Sequence, residues 1–192
     1  MMNQAWVHKL KNRLKEGDIL FISIPNFLYK AIEKGTQSPT SHVGIAIKVD
    51  NQWMVAESKV PFSCISTLAD FVARSDNNWL SVKRYKGDLN AQQIQKIKQT
   101  CHQHLGRLYN FGFIFDSNQQ FCSKFVYQVF RQATGIKVGE VESFSALLTK
   151  SPDGLTLFWW LWFCGFVPLN ANTITPYSQW IDPKFSEVLF NA

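Results

Sequence analysis

The sequence lacks several familiar signatures. Its four cysteines, Cys64, Cys101, Cys122 and Cys164, are scattered with no CxxC pair, which excludes a zinc ribbon or a thioredoxin-type motif. No glycine-rich phosphate loop is present, no carboxylate spacing points to a metal cluster, and no internal repeat is visible. Lys and Arg interleaved with aromatics are also missing, so nucleic-acid binding is not expected despite a formal net charge of +6. Residues Trp6 to Lys15 contain no uninterrupted apolar run, so a secretory leader is not expected. The thiols are then expected to be reduced, as in a cytoplasm, and a free reactive cysteine is favoured over a disulfide framework.

What is present describes a globular chain. With 192 residues and 46% apolar side chains, one domain over residues 1–192 is expected, large enough to bury a core. The excess of 20 Lys and Arg over 14 Asp and Glu lies in the first three quarters, since Lys184 is the only basic residue after Lys150. Trp6, Val7, Leu10 and Leu14 recur at helical spacing among Lys9, Lys11, Arg13 and Lys15, a basic amphipathic pattern. Gly17 stops it, and Asp18 to Ile24 has the length of a strand. Phe27 to Lys34 reads as a helix ended by Gly35, followed by a polar loop, Thr36 to Ser41.

Two apolar runs, Val43 to Val49 and Trp53 to Ala56, flank Asp50-Asn51, a strong hairpin signal. A strand is expected over Leu80 to Tyr85. Asn90 and Gln93 form a capping box for a helix with Ile94, Ile97, Cys101 and Leu105 on one stripe. A loop, Gly106 to Phe115, and a polar cluster, Asp116-Ser117-Asn118, precede a helical face of Phe121, Phe125, Val126, Val129, Phe130 and Ala133 that ends at Gly135. Beyond Pro152 the chain is aromatic-rich and reads as irregular, with a final strand near Phe185 to Phe190.

Three residues could carry chemistry. Cys122 falls in the opening turn of its helix, where unpaired amides and the helix dipole stabilise a thiolate and could hold an oxyanion. The bland reading is a small buried hydrophobe. His42 heads the hairpin. If Val49 faces Gln52 across the turn, Gly44 lies opposite Glu57, and Glu57 becomes the diagonal neighbour of His42 at about 7–8 Å between backbone positions. A carboxylate there could fix the imidazole tautomer and leave its other nitrogen for a thiol. A shift of one residue would send Glu57 to the other face. Taken singly, His42 as a surface histidine and Glu57 as a solvated acid are the commoner situations; the set of three is more specific. Cys101 sits on an apolar stripe and reads as core, while Cys64 and Cys164 read as structural. His102 and His104 sit beside Cys101, but neighbours on a helix project about 100° apart and cannot chelate one metal together. His8 belongs to the basic helix and reads as solvated.

Gly17-Asp18-Ile19-Leu20-Phe21 followed by Ser41-His42-Val43-Gly44-Ile45 resembles the histidine half of the NlpC-type amidases, papain-fold cysteine hydrolases. Gly106-Arg107-Leu108-Tyr109-Asn110-Phe111 and Phe121-Cys122-Ser123-Lys124-Phe125-Val126 are similar to the cysteine half. The histidine half comes first here, which resembles the circularly permuted YiiX/YebB-like branch. The match runs from about Gly17 to Gly135, with a further likeness of the tail, including Leu155 to Pro168, to the YebB-type subgroup. The resemblance implies an α+β, circularly permuted papain-like fold with an antiparallel sheet packed by helices. It implies Cys122 as nucleophile, His42 as base, Glu57 as third polar residue, and Tyr109 as a tyrosine near the site. Phe121 stands where wall amidases often carry Asp, Lys124 where a small residue usually follows, and Glu57 where His, Asn or Gln is common. These departures bear on the substrate more than on the machinery.

The function expected is an amidase or peptidase of small peptide or cell-wall-derived amides, acting through an acyl-enzyme and needing no cofactor or metal. A lipid acyltransferase or esterase of the lecithin:retinol acyltransferase type, and a non-catalytic binding module, stay open. Leu155 to Leu169 is too short to span a bilayer and is either a buried cluster, an acyl-chain groove or a membrane-facing patch. Peripheral membrane contact is therefore kept beside the cytoplasmic expectation. Oligomeric state is not readable.

Overall fold

The computed structural model describes residues 10–150 and 155–191. Its strands are β1 (Ile19–Ile22), β2 (His42–Val49), β3 (Gln52–Ser58), β4 (Ser63–Thr67), β5 (Leu80–Tyr85), β6 (Val141–Ser143), β7 (Asn172–Ile174) and β8 (Phe185–Asn191). The helices are α1 (Phe27–Thr36), α2 (Leu68–Ala73), α3 (Ala91–Gln103), α4 (Cys122–Thr134), α5 (Phe144–Thr149), α6 (Leu155–Trp162) and α7 (Pro176–Trp180). Six strands form an antiparallel sheet in the order β4-β3-β2-β1-β5-β8, while β6 and β7 pair separately. The fold is therefore the α+β arrangement expected from the sequence.

The β2–β3 hairpin has the predicted register: Val49 faces Gln52 and Gly44 faces Glu57. Asp50 and Asn51 both take positive φ, 47° and 61°, which a two-residue turn of this twist requires and which Asp and Asn tolerate. Alternation along the strands then loads both faces of the sheet. Ile19, Phe21, Val43, Ile45 and Ile47 meet Ile97 and Cys101 of α3 and Phe125, Val126, Val129 and Phe130 of α4. On the other face Leu20, Ile22, Ala46, Val55 and Val82 meet Leu68, Phe71 and Val72 of α2 together with Leu10 and Leu14. Each large side chain so buried contributes about 1.5–3 kcal/mol relative to exposure.

Residues 10–13 are helical with Leu10 and Leu14 in the core, whereas Trp6 to Lys9 of the predicted basic helix, with His8, lie outside the described residues. The predicted stop at Gly35 gives way to Gln37, whose left-handed backbone (φ 49°) lets its amide reach Glu33 O and Lys34 O. The capping box of α3 is formed: Gln93 N donates to Asn90 Oδ1 at 2.8 Å and Asn90 N to Gln93 Oε1 at 3.0 Å. The tail is ordered where an irregular course was predicted. It forms α6, β7 and α7, and α6 is held by aromatic contacts with Phe113 and Phe144 from distant segments, which leave no periodicity of 2 or 3.6 to read. Part of it braces α4, with Ser123 Oγ donating to Ile174 O at 2.7 Å and Gln179 Nε2 donating to Ser123 O at 2.8 Å.

Gly44 is fixed by packing. A Cβ there would stand 2.5 Å from Val55 Cγ1 and 3.1 Å from both Ala56 O and Phe71 Cε2. Gly44→Ala is expected to lower stability by about 1–3 kcal/mol in urea unfolding, because a stiff side chain, a carbonyl and a buried ring must all move.

Candidate active site

Residue 42 opens β2, so its side chain stands at the end of the sheet, on the face that α2 covers. Its ring meets Phe71 at 5.8 Å and Tyr29 edge-on at 5.9 Å, and it is fully buried. The register that puts Gly44 opposite Glu57 brings the Glu57 carboxylate to it on the same face. His42 Nε2 and Glu57 Oε2 are 2.6 Å apart.

Glu57 has no exposed surface and three donors besides Lys59 at 4.0 Å. Ser66 Oγ donates to Oε1 at 2.6 Å, and Arg74 Nη2 donates to Oε1 and Oε2 at 2.6 and 2.8 Å. Burial alone would raise its pKa, but the hydrogen bond and charge of His42, then Arg74, outweigh it and bring the carboxyl down to about 2. Arg74 and Ser66 were not singled out in the sequence. Arg74 follows a short helix and is seventeen residues from its partner, as any surface arginine could be. The alternation of β4 with β3, once the register is known, is the signal that would have found Ser66.

Cys122 approaches from the opposite side of the sheet's end. It is the first residue of α4, buried, with Sγ 4.0 Å from the carbonyl oxygen of Ser41, the residue before His42. No side chain caps α4: Phe121 at the cap position offers no acceptor, so the first-turn amides keep their donors. His42 Nδ1 is buried without a hydrogen bond, and the thiol lies near enough to interact with the ring. Burial pushes His42 down; the neighbouring Cys122 and then Glu57 more than offset this and hold its pKa above the ordinary value. The structure thus brings together all three residues named from the sequence.

Other groups frame the thiol. Burial first, then Cys122, pushes the Tyr29 hydroxyl up to about 12 and raises that of Tyr109 well above its ordinary value, so both stay protonated donors. Tyr109 is buried and its hydroxyl makes no closed hydrogen bond. Lys124, also buried, donates to Gln119 O at 2.7 Å and to Ser117 O, tying down the loop before α4; burial and then Arg107 bring it to about 8. An apolar recess of about 40 Å³ adjoins Cys122, walled by Phe113, Phe121, Phe144, Trp159 and Ile174. Cys101 is core, its thiol pushed up to about 12 by burial, whereas Cys64 is half-buried and Cys164 is exposed at a left-handed backbone position (φ 50°). His104 hydrogen-bonds Gln120 and Gln132 and points away from exposed His102.

A thiol at a helix tip, beside an imidazole whose far nitrogen is held by a carboxylate, can pass its proton from sulfur to nitrogen and attack an electrophilic carbon. A family model described as permuted papain-like amidase enzyme, YaeF/YiiX, C92 family, matches residues 13–189. The chain belongs to the permuted papain-like amidases. Within this family it is 31% identical over 137 residues to the uncharacterized protein YiiX of Escherichia coli strain K12, covering 71% of this chain and 67% of that one. The crystal structure of metalloprotein YiiX from Escherichia coli O157:H7 superposes with a TM-score of 0.84 at 25% identity, covering 93% of this chain and 98% of that one. Among the described residues of this amidase-family chain the donors do not fit a resident metal ion. Among the described residues no three His, Cys, Asp or Glu side chains converge as a ligand set, and Glu57 is taken up by His42, Ser66 and the Arg74 cation.

The depressed carboxyl has a consequence for acid stability. A group at about 2 in the fold against 4.5 ordinarily contributes stability that is present above pH 4.5 and lost as pH falls toward 2. Glu57→Gln removes this, so in urea unfolding the gap between wild type and variant should narrow from about pH 5 to about pH 3. A constant gap would mean that Glu57 is not the charged partner of His42 and Arg74.

Proposed function

We propose that the chain is a cysteine hydrolase in which Cys122 is the nucleophile, His42 its base and Glu57 the residue that orients His42. The reading is carried by one observation: a buried imidazole, bonded at Nε2 to a carboxylate 2.6 Å away, leaves Nδ1 for a thiol on a helix tip. With Nε2–H donated to Glu57, Nδ1 is the basic nitrogen. It takes the Cys122 proton as sulfur bonds to the carbonyl carbon. The first-turn amides of α4 and the Tyr109 hydroxyl are donors for the oxyanion. The tetrahedral adduct collapses, the amine leaves with the proton from Nδ1, and a thioester remains. Water then gives its proton to His42, adds to the thioester carbon and expels the sulfur, which recovers the proton.

Family membership favours an amide as the scissile bond, in a small peptide or cell-wall-derived fragment. The recess beside Cys122 favours an apolar acyl side, because its walls are aromatic and aliphatic. The exposed apolar side chains of α6, Leu157, Trp160 and Leu161, support a second reading, transfer or hydrolysis of a lipid acyl group. Mass spectrometry of the Cys122 adduct after exposure to cell extract separates them: an aminoacyl or peptidyl mass supports the first, a fatty acyl mass the second.

Iodoacetamide should label Cys122 in the wild type, not in Cys122→Ala, and His42→Ala should slow labelling at neutral pH by at least about tenfold. Equal rates in wild type and His42→Ala would defeat the mechanism and leave a binding module on the same fold. Arg74 acts here as a positioning residue: by sharing the Glu57 charge it weakens the pull on the imidazolium. In Arg74→Gln the imidazolium gains a bare carboxylate, so the His42 titration followed by NMR should move to higher pH by about one unit. Arg74→Lys should restore most of the original value, which a purely structural role would not require.

A further inference from the structure

From residue 154 to residue 181 the chain contains no Asp, Glu, Lys or Arg. A buried segment would be expected to look like this, yet much of it faces outward. In α6 Trp159 turns inward, whereas Leu157, Trp160 and Leu161 are exposed, and beyond the helix Phe166 is 86% exposed. Gly165, at φ 88°, folds the chain back, its N–H donating to Trp160 O at 2.7 Å. The apolar surface continues onto α1. Phe27, 77% exposed, meets Phe158 edge-on at 5.6 Å, and Trp162 Nε1 donates to Phe111 O at 2.9 Å. Soluble surfaces seldom expose so contiguous a set of large apolar side chains without a use for it.

This surface adjoins, through Phe27 and Trp162, an open cleft of about 620 Å³ bordered also by Val60 and Phe111. Lys59 and Arg74 stand in its wall, and no Asp or Glu lines it. Tyr29 lines it too and is close enough to Cys122 and Glu57 for their charges to act on its hydroxyl, so the cleft leads toward the thiol. Arg74 is already paired with Glu57, so Lys59 is the cation this cleft offers. An apolar surface beside a cleft with a lysine and no acid matches an anionic lipid surface: aromatics enter the headgroup boundary and the ammonium meets phosphate. A second copy of the chain is the poorer occupant. A two-fold contact through this face would set Lys59 against a patch with no acid to pair with it.

We infer that this face docks the protein on anionic membranes, with α6 at the acyl boundary and the cleft opening onto the headgroups. The docking does not depend on thiol chemistry. Flotation of the full chain with phosphatidylcholine vesicles, with and without phosphatidylglycerol, tests it. The wild type and Cys122→Ala should float equally with the mixed vesicles, much less with phosphatidylcholine alone, and less as salt is raised. A Trp160→Glu/Leu161→Glu variant should lose flotation by about tenfold or more while keeping the wild-type rate of Cys122 labelling, which reports an intact fold. Wild type that stays with the pellet in both mixtures overturns the inference, as does undiminished flotation of the double variant. A dimer in light scattering that the double variant disperses would assign the face to a second copy instead.

Discussion

A carboxylate with no access to water, set between an imidazole and a guanidinium, is the constraint on which this structure turns. Removing an ion from water costs several kcal/mol, and the cost is offset only when every partner is in place. Here the partners come from four separate segments: His42 opens β2, Glu57 ends the apolar stretch of β3, Ser66 lies on β4, and Arg74 follows α2. Loss of any one leaves Glu57 buried with a donor missing. The pairing thus fixes the strand register, the seat of α2 and the orientation of His42 together. The acid is also less basic than a lone carboxylate, since Arg74 shares its charge. A neutralised Glu–Arg pair beside histidine approaches electrically what a neutral amide would provide there.

The site has two halves on opposite faces of one sheet. His42 and Glu57 belong to the side covered by α2, while Cys122 belongs to the helix that packs on the other side. They can meet only at the sheet's end, where β2 begins and no further residue intervenes, and Ser41 is where the thiol touches the strand. The histidine half preceding the cysteine half in the chain is therefore of no geometric consequence. What matters is that a strand start and a helix start converge, each presenting its first residue.

The hairpin and the long helices were legible because each rests on local rules. Asp50-Asn51 sets a two-residue turn, period-two alternation sets the faces, and counting along the ladder places Glu57 beside His42. Cys122 was legible from the polar cluster and helical stripe that locate its helix start. Arg74 and Ser66 were not, because nothing local distinguishes an arginine that reaches a buried acid from one that reaches water. The tail defeated pattern reading for another reason. Trp159, Phe144, Phe113 and Phe121 hold one another through edge-to-face contacts between distant segments, and such a cluster leaves no spacing in the sequence. The choice between buried cluster and exposed patch for Leu155 to Leu169 was posed as exclusive, and the helix does both.

That double character links the outside of the molecule to its chemistry. Adjacent residues on a helix project about 100° apart, so Trp159 walls the recess beside Cys122 while Trp160 faces outward from the same turn. A helix of eight residues with apolar side chains on both sides gains little from choosing between interior and surface. What it gains by contact with an apolar phase outside comes without exposing its inner face. Phe158 then ties the turn to Phe27, and Trp162 ties it to the loop at Phe111, two residues on from Tyr109. The outer face, the wall of the recess and the loop that leads to Tyr109 thus meet within about one helical turn of α6.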